Sequence, residues 1–265
     1  MLNAESRIPM FPARISIVTY NIWLTERWDV RAPALRRFLE IFDPDILCLQ
    51  ELQAKSRAFI DETLPRHRRV DDPLKGWTTE GNIYWRDSLF EKLEHGAEEV
   101  GLKNVDRRLF WARLRVRSPA REILVATAHL TSQKHPHEQQ TGMSPRVNET
   151  RAIIAALQRL NRSGEPGFFM GDLNDAVHPP RLLHEAGYVN CFSALGIQNP
   201  PTLHCYPTAN IQPGERMVNH GIDWLVANSH ARAIAASVPH FYFADAAPSD
   251  HWPVHAIYEV AADGH

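Results

Sequence analysis

Short apolar runs separated by polar turns recur along the whole chain and predict the strands of a β-rich fold. The runs are rich in Val, Ile, Phe and Trp and are bounded by Gly, Pro, Asn or Asp, a composition that favours strands over helices. The predicted strands are residues 14–20, 45–50, 82–85, 109–116, 122–130, 167–171, 222–227 and 253–260.

Two stretches between these strands repeat their apolar residues at the spacing of a helix. Residues 33–42 have an apolar face behind Pro33, which suits the first turn of a helix. Residues 145–161 have a similar face, with Ser144 as the candidate N-cap and Pro145 at the first helical position. The sequence therefore predicts helices in both stretches.

The polarity of the strands predicts how they are layered. Residues 123–128 are apolar on both faces, so this strand is expected to be covered on both sides. Arg113, Arg115 and Arg117 alternate with apolar residues, so one face of their strand is expected to be wet. Strands and helices are mixed without a linker-like stretch, which predicts one α/β domain over residues 1–265 with more than one layer of sheet.

Polar residues stand at one end of six of these strands. Turn chemistry explains any one of them, but six together indicate a cleft where strand ends converge. Carboxylate and amide oxygens are hard ligands that suit Mg²⁺ or Mn²⁺, and the chain lacks zinc, P-loop and serine-hydrolase motifs. This set fits the hydrolysis of a phosphate ester by activated water. The residues are Asn21, Glu51, His129, Asp172 with Asn174, Asp223, and Asp250 with His251.

In these motifs the chain resembles the endonuclease/exonuclease/phosphatase superfamily, which has the DNase I-like fold. TYNIW, LQE, TAHL, GDLND, IDWL and SDHWP occur in the order of the superfamily's motifs and span residues 19–253. The resemblance implies a four-layer α-β-β-α sandwich, in which two mixed sheets are flanked by helices and the cleft lies along one edge. It also implies a metal-dependent hydrolase acting on phosphoric ester bonds.

The resemblance assigns roles to the residues around a metal and a base. Glu51 matches the principal Mg²⁺ ligand, and Asn21 and Asp250 lie close to the metal in this pattern. His251 matches the general base, and Asp223 matches the carboxylate that fixes its tautomer and raises its basicity.

Other motif residues match groups that hold water and phosphate. Asp172 matches the residue that orients or activates the attacking water, with Asn174 as its neighbour in the cleft. His129 matches a histidine that binds phosphate oxygens and that is paired with a glutamate in DNase I-like members. Glu80 is the candidate for this partner, although nothing around it is distinctive.

Two further residues are candidates for substrate binding. Arg146, near the start of a predicted helix, is a candidate phosphate contact, with a surface salt bridge as the alternative. Trp23 and Leu24 replace the acidic residue and glycine that repair enzymes resembling exonuclease III carry after the first asparagine. This departure weakens the interpretation as a repair nuclease, and Trp23 is closer to some sphingomyelinase-like members.

Charge and cysteine content limit the choice of partner and compartment. The chain has 29 Lys and Arg against 31 Asp and Glu, so its net charge does not indicate binding to nucleic acid. The basic run RHRR at 66–69 is expected to be a solvated face. The three cysteines lack C-x-x-C spacing, and Cys48 lies in an apolar run. No run approaches the length of a transmembrane helix, and we expect a cytoplasmic protein.

The sequence thus predicts a phosphoesterase dependent on Mg²⁺ or Mn²⁺ that hydrolyses a phosphodiester or, as a second choice, a phosphomonoester. A nuclease acting on DNA or RNA and a phosphodiesterase acting on a lipid or small molecule both remain open. A catalytically silent binding module of the same fold is the alternative outside enzymes. The substrate is expected to depend on the loops predicted at 131–143 and 190–221, and the sequence does not indicate an oligomeric state.

Overall fold

The computed structural model describes residues 12–204 and 221–261 and contains two sheets with helices outside them. In chain order the elements are β1 (Ala13–Asn21), α1 (Trp28–Phe42), β2 (Ile46–Gln50), α2 (Ala54–Thr63), β3 (His67–Arg69), α3 (Gly76–Thr79), β4 (Gly81–Arg86), β5 (Phe90–Glu98), β6 (Leu109–Arg117), β7 (Ala120–Thr127), α4 (Pro136–Thr141), α5 (Arg146–Leu160), β8 (Gly167–Asp172), α6 (His178–Glu185), β9 (Val189–Asn190), α7 (Cys191–Ala194), β10 (Asp223–Ala227), β11 (Ala231–Ser237) and β12 (Val254–Val260).

Each sheet has six strands and mixes parallel with antiparallel pairs. The strand order is β11-β12-β1-β2-β4-β3 in the first sheet and β5-β6-β7-β8-β10-β9 in the second. In the first sheet β1 is parallel to β2 and antiparallel to β12, and in the second β8 is parallel to β7 and antiparallel to β10. Within each sheet, the carboxyl ends of the two parallel strands therefore lie beside the amino ends of the antiparallel strands that flank them.

Three apolar clusters separate four layers. One cluster lies between the sheets and includes Ile17 and Ile83 from the first sheet and Val125 and Phe168 from the second. Another packs the outer face of β7, β8 and β10 against α5 and α6, and a third packs β1 and β2 against α1 and α2. The predicted α-β-β-α sandwich of two mixed sheets is confirmed.

All of the predicted strands form, with ends that differ from the prediction by three residues at most. The strands that the apolar pattern missed are β3, β5, β9 and β11, and these are the outer strands of the two sheets. One side of an outer strand has no neighbouring strand, so it does not require a continuous apolar pattern.

The predicted helices also form, but both begin at a different residue. α1 begins at Trp28, so Pro33 lies inside the helix instead of in its first turn. Burial of Trp28 stabilises the additional turn, a tertiary contact that the local pattern does not contain. α5 begins at Arg146, and Pro145 occupies the N-cap position that was predicted for Ser144.

The strand that carries alternating arginines is more buried than predicted. Arg113 is 3% exposed, and its guanidinium donates to Glu165 at 2.7 Å and to Glu94 at 2.5 Å. Arg115 is exposed and pairs with Glu122 at 2.9 Å. The prediction of a wet face is therefore wrong at Arg113, because ion pairs with hydrogen bonds allow a guanidinium to be buried.

The two predicted loops contain short helices, α4 in residues 131–143 and α7 in residues 190–221. Residues 205–220 of the second loop, which include Cys205, lie outside the described part of the chain. The other two cysteines, Cys48 and Cys191, are buried free thiols. In the described ranges, no helix combines the length and apolar character needed to cross a membrane.

We predict that Gly171→Ala destabilises the protein by about 3 kcal/mol or more. Gly171 has φ 144°, and a Cβ atom there would lie 1.9 Å from the backbone oxygen of Ala128. Gly142→Ala is the matched control, because φ is also positive there (66°) but no atom lies within 4 Å of the added Cβ. The control is expected to cost about 1 kcal/mol. Urea unfolding followed by circular dichroism measures both, and equal losses would contradict the prediction.

Candidate active site

Seven polar side chains that were predicted from strand ends lie at one edge of the sandwich. Strands β1, β2 and β8 end at this edge, and β10 and β12 begin there. Strand β7 ends at Thr127, two residues before His129. Hydrogen bonds and ion pairs join three of them to Asp172, namely Asn21, His129 and His251. Two more are joined to these partners, Glu51 to Asn21 and Asp223 to His251. The seven residues are Asn21, Glu51, His129, Asp172, Asp223, Asp250 and His251.

His251 and Asp223 form a buried pair. The Nδ1–H group of His251 donates to Oδ2 of Asp223 at 2.8 Å, and Nε2 of the same ring lies 3.8 Å from Oδ2 of Asp172. Burial alone would lower the pKa of His251, but the charge and hydrogen bond of Asp223 and the charge of Asp172 raise this pKa well above its ordinary value. Burial raises the pKa of Asp223. The pair holds the imidazole with Nε2 directed to the cleft.

Asp172 lies at the centre of the group. Its Oδ2 accepts a hydrogen bond from Nδ2 of Asn21 at 3.0 Å and lies 3.3 Å from Nε2 of His129, while Oδ1 accepts from the backbone N–H of Asn174 at 2.8 Å. Burial would raise the pKa of Asp172, but the charges of His129 and His251 and these hydrogen bonds hold it below its usual range. Asp172 is therefore a carboxylate that stays ionised.

Glu51 and Asp250 have fewer donors than Asp172. Glu51 has φ 56°, and among the described residues only Nδ2 of Asn21, 3.3 Å away, donates to its carboxylate. Oδ1 of Asn21 accepts the backbone N–H of Trp23 at 3.0 Å. Burial raises the pKa of Asp250 to about 6. The charges of His251 and Arg31 partly offset this rise. Glu51 and Asp250 fit a hard divalent cation because few hydrogen-bond donors occupy their oxygens.

A second group of potential ligands overlaps the histidine pair. Asp172, Asp223 and His251 each offer one ligand atom, and these atoms lie within 4.8 Å of one another. Nδ1 of His251 already donates to Asp223, however, and Asp172 already has imidazole neighbours. Asp172 and Asp223 thus already have imidazole partners, whereas among the described residues Glu51 and Asp250 form no hydrogen bond or ion pair with an imidazole.

The structure does not bring Glu80 into a hydrogen bond with His129. The Glu80 carboxylate accepts from Nε of Arg107 at 3.0 Å, and Arg107 also donates to the backbone oxygen of Leu130 at 3.0 Å. Among the described residues, Nδ1 of His129 has no hydrogen-bond partner. The three side chains line one small cavity of about 10 Å³, which is about the space of one water molecule. Glu80, the predicted partner of His129, is therefore bonded to Arg107 instead. No local sequence pattern indicated this pairing.

Arg146 is buried and is paired with carboxylates of α4 and of the loop after β8, Glu138 and Asp175. Its guanidinium is 3% exposed, donates twice to Glu138 at 2.7 and 2.9 Å, and donates to the backbone oxygen of Thr131 at 2.8 Å. Arg146 thus joins α5 to α4 and to the preceding loop through an ion pair, which was the alternative to the predicted phosphate contact; that contact stays a prediction. Trp23 borders the site and is partly exposed, with its ring 5.0 Å from the guanidinium carbon of Arg31.

Other candidate features lie away from this edge or in the core. The arginines of residues 66–69 are paired with carboxylates and do not form an unpaired basic patch, in agreement with a surface role. Arg66, Arg68 and Arg69 pair with Asp43, Asp87 and Asp61, respectively. Three further tryptophans are buried in the core: Trp77, Trp85 and Trp252.

A buried polar network beneath the site joins the two sheets. Nε2 of Gln50, at the end of β2, donates to Oγ1 of Thr127 in β7 at 2.9 Å and to Oγ1 of Thr19 in β1 at 3.1 Å. All three side chains are buried. Gln50 stands in the LQE motif, but nothing in the sequence indicated the network that its side chain forms.

Thr202 holds both halves of the histidine pair and was not identified from the sequence. Its Oγ1 accepts the backbone N–H groups of Ile222 and Asp223 at 3.0 Å, and its carbonyl oxygen accepts the N–H of Trp252 at 2.6 Å. The threonine is completely buried. Its segment is rich in Pro and Gly, so only the structure reveals that it contributes to the site.

We predict that Thr202→Val lowers the free energy of unfolding by about 2 kcal/mol, because two buried N–H groups lose their acceptor while the side-chain volume is kept. Thr202→Ser keeps the hydroxyl and is expected to lose less than about 1 kcal/mol. Urea unfolding of both variants tests this difference. A serine variant as unstable as the valine variant would show that the methyl group, and not the hydroxyl, is responsible.

Comparison with protein families places these motifs in a known group. The model of the Endonuclease/Exonuclease/phosphatase family matches residues 18–251. A curated relative, Protein angel of Drosophila melanogaster, is 31% identical over 158 residues. This match covers 48% of the chain and 45% of the relative, so the chain spans less than half of that protein's length.

Solved structures of similar fold cover nearly the whole chain. An endonuclease/exonuclease/phosphatase family protein from Bacteroides thetaiotaomicron matches with a TM-score of 0.76 and 16% identity over 95% of the chain and 100% of the other. A mannosyl-6-phosphatase from the same species matches with a TM-score of 0.74 and 15% identity, over 92% of this chain and 99% of that protein's chain. TDP2 from D. rerio, complexed with single-strand DNA product, matches with a TM-score of 0.71 and 18% identity, over 93% of this chain and 99% of that protein's chain. At these identities the similarity shows the fold.

Proposed function

Because this chain belongs to the endonuclease/exonuclease/phosphatase family, whose members hydrolyse phosphoester bonds, we propose that it hydrolyses a phosphodiester with Mg²⁺ or Mn²⁺ and a water activated by His251. The observation that carries the proposal is the 2.8 Å hydrogen bond between His251 and Asp223, with Nε2 directed to a cleft that Asp172 borders. A base held in one tautomer beside carboxylates is the arrangement needed for proton removal from water.

Glu51 and Asp250 are the residues that would hold the cation. Asn21 orients Glu51 through its Nδ2–H group, since its oxygen accepts the N–H of Trp23. A bound cation neutralises phosphate charge and makes the phosphorus more open to attack. The assignment is supported by the scarcity of donors around these two carboxylates and by the burial of Asp250.

His251 receives the proton of the attacking water at Nε2. Its Nδ1–H group remains bonded to Asp223, which stabilises the imidazolium that forms. Burial would lower the pKa of His251, but the charges of Asp223, Asp172 and Asp250 raise it, which makes the ring a stronger proton acceptor. Asp172, with Asn174 bonded to it, is assigned to orient the water.

His129 is assigned to the phosphate oxygens that face the other side of Asp172. Its Nε2 lies 3.3 Å from Oδ2 of Asp172, which places the ring beside the carboxylate assigned to the water. A phosphomonoester dianion requires more positive donors than a phosphodiester monoanion. In the described part of the chain, Arg107 and Arg146 are already bonded to Glu80 and Glu138, which favours the diester.

The class of diester is tested by a hydrolysis screen with Mg²⁺ and Mn²⁺. Single-stranded and double-stranded DNA, RNA, phospholipid head groups and phosphate esters of small molecules are the substrates to compare. Hydrolysis of DNA or RNA with affinity that falls steeply as salt rises would identify a nuclease. Salt-insensitive hydrolysis of a small or lipid diester would identify the other class. Greater activity on monoesters than on diesters would contradict the proposal.

We predict that removal of divalent cations with EDTA abolishes hydrolysis of a chromogenic phosphodiester and that added Mg²⁺ or Mn²⁺ restores it. Glu51→Gln is expected to lower the rate about 100-fold or more, because the cation loses a charged ligand. Glu40→Gln is the control, since this carboxylate is exposed on α1. Full activity in EDTA, or in the Glu51 variant, would overturn the metal assignment.

A double-mutant cycle tests whether His251 and Asp223 act as one unit. Asp223→Asn should lower kcat about 1,000-fold or more because the imidazole loses the carboxylate that fixes its tautomer and stabilises its positive charge. His251→Gln should lower kcat at least as much, and the double variant should be within about threefold of His251→Gln. Losses that multiply in the double variant would show that the two side chains act independently.

A further inference from the structure

Arg31, in the first turn of α1, is completely buried, and within the described ranges no carboxylate forms an ion pair with it. Its N–H groups donate to four backbone carbonyl oxygens at 2.5 to 3.0 Å. Nε donates to Glu26, Nη1 to Ile22 and Pro248, and Nη2 to Trp23. Burial of a guanidinium without a counter-ion is unfavourable unless its donors are satisfied, and these acceptors satisfy it.

The four acceptors belong to two segments that flank the proposed cation ligands. Three of them lie in residues 22–26, which directly follow Asn21 at the end of β1. The fourth, Pro248, lies two residues before Asp250. The two segments are distant in sequence, and Arg31 reaches both from a third element of the fold. We call this set of four hydrogen bonds the Arg31 clamp.

The segment after Asn21 has an unfavourable backbone conformation that needs external support. Trp23, Leu24 and Arg27 have φ values of 55°, 50° and 48°, in the left-handed region. This region costs roughly 1 to 2 kcal/mol for each residue other than glycine. The Arg31 clamp supplies hydrogen bonds that are lost if the segment relaxes to a more favourable conformation.

Hydrogen bonds continue from the clamp to the proposed ligands. The carbonyl oxygen of Trp23 accepts from Arg31, the N–H of Trp23 donates to Oδ1 of Asn21 at 3.0 Å, and Nδ2 of Asn21 lies 3.3 Å from Glu51. On the other side, Oγ of Ser249 donates to the backbone oxygen of Asn21 at 2.7 Å. A chain of hydrogen bonds therefore runs from the guanidinium through Trp23 and Asn21 to Glu51.

We propose that Arg31 is a positioning residue that fixes the separation of Glu51 and Asp250 before a divalent cation binds. The inference rests on the proposed function, because it takes these two carboxylates as the cation ligands. Arg31 forms no hydrogen bond or ion pair with either carboxylate, although its charge acts on both, and its hydrogen bonds reach only the backbone of the two segments. Lysine cannot replace it, since a single ammonium nitrogen does not reach carbonyl oxygens that surround a planar guanidinium in several directions.

The test compares Mn²⁺ binding by the full chain in wild type, Arg31→Lys and Arg113→Lys. Arg113 is the matched control, because it is also buried but bonds to Glu94 and Glu165, near the end of β8 opposite Asp172. Titration calorimetry gives the Kd for Mn²⁺, and circular dichroism checks that each variant is folded at the temperature used. Both lysine variants are expected to unfold at lower temperature than wild type.

We expect the Kd for Mn²⁺ to rise about 10-fold to 100-fold in Arg31→Lys and to stay within about twofold in Arg113→Lys. With the chromogenic phosphodiester, the rate at saturating Mn²⁺ should fall much less than the affinity, because Arg31 does not contact the reacting atoms. An unchanged Kd in Arg31→Lys overturns the inference and leaves the proposed function intact. A wild-type protein that binds no Mn²⁺ overturns the metal assignment and, with it, the inference.

A measurement on the wild type keeps the inference testable if Arg31→Lys does not fold. Because the clamp joins residues 22–27 to residues 248–252, Mn²⁺ binding should slow amide hydrogen exchange in both segments. In α2, which the clamp does not contact, exchange should change little. Protection of residues 248–252 without protection of residues 22–27 would overturn the inference.

Discussion

Like charges meet at the edge of the sandwich, where Glu51, Asp172, Asp223 and Asp250 lie close together and partly or fully shielded from water. Four carboxylates cannot share such a region as free anions, so each needs a compensating group. Imidazole rings compensate Asp172 and Asp223, and the first of these has a lowered pKa. Asp250 has no such neighbour in hydrogen-bond contact, and burial raises its pKa to about 6. The same edge thus contains one carboxylate with a lowered pKa and another with a raised pKa.

The fold satisfies this constraint by ending its strands abruptly at the edge. Gly171, Glu51 and Asn174 all have positive φ, at or next to the ends of β2 and β8. A chain that leaves the sheet at such a residue can direct a side chain into the cleft instead of above or below the sheet. Gln50, bonded to Thr127, joins the sheets directly beneath these ends, so the two halves of the site keep a fixed distance.

The sequence predicted the interior strands and the motif residues for the same reason: both depend on local patterns. Strands covered on both sides need apolar runs, whereas the outer strands β3, β5, β9 and β11 do not, and these were missed. Partners were harder to predict, because they join residues that are far apart in the chain. Nothing near Glu80 indicated that it would bind Arg107, nothing in the Pro-rich segment distinguished Thr202, and the inward direction of Arg146 depends on Glu138.

Asp172 makes the two histidines of the site interdependent. Its Oδ2 atom lies 3.3 Å from Nε2 of His129 and 3.8 Å from Nε2 of His251, and it accepts from Asn21 as well. A positive charge on either ring is stabilised by this one oxygen, and charges on both rings repel each other across it. Proton uptake by His251 in the proposed reaction therefore alters the electrostatic environment of His129 on the phosphate side. In the proposed reaction, binding of phosphate at His129 and activation of water at His251 would therefore be coupled through the single carboxylate of Asp172.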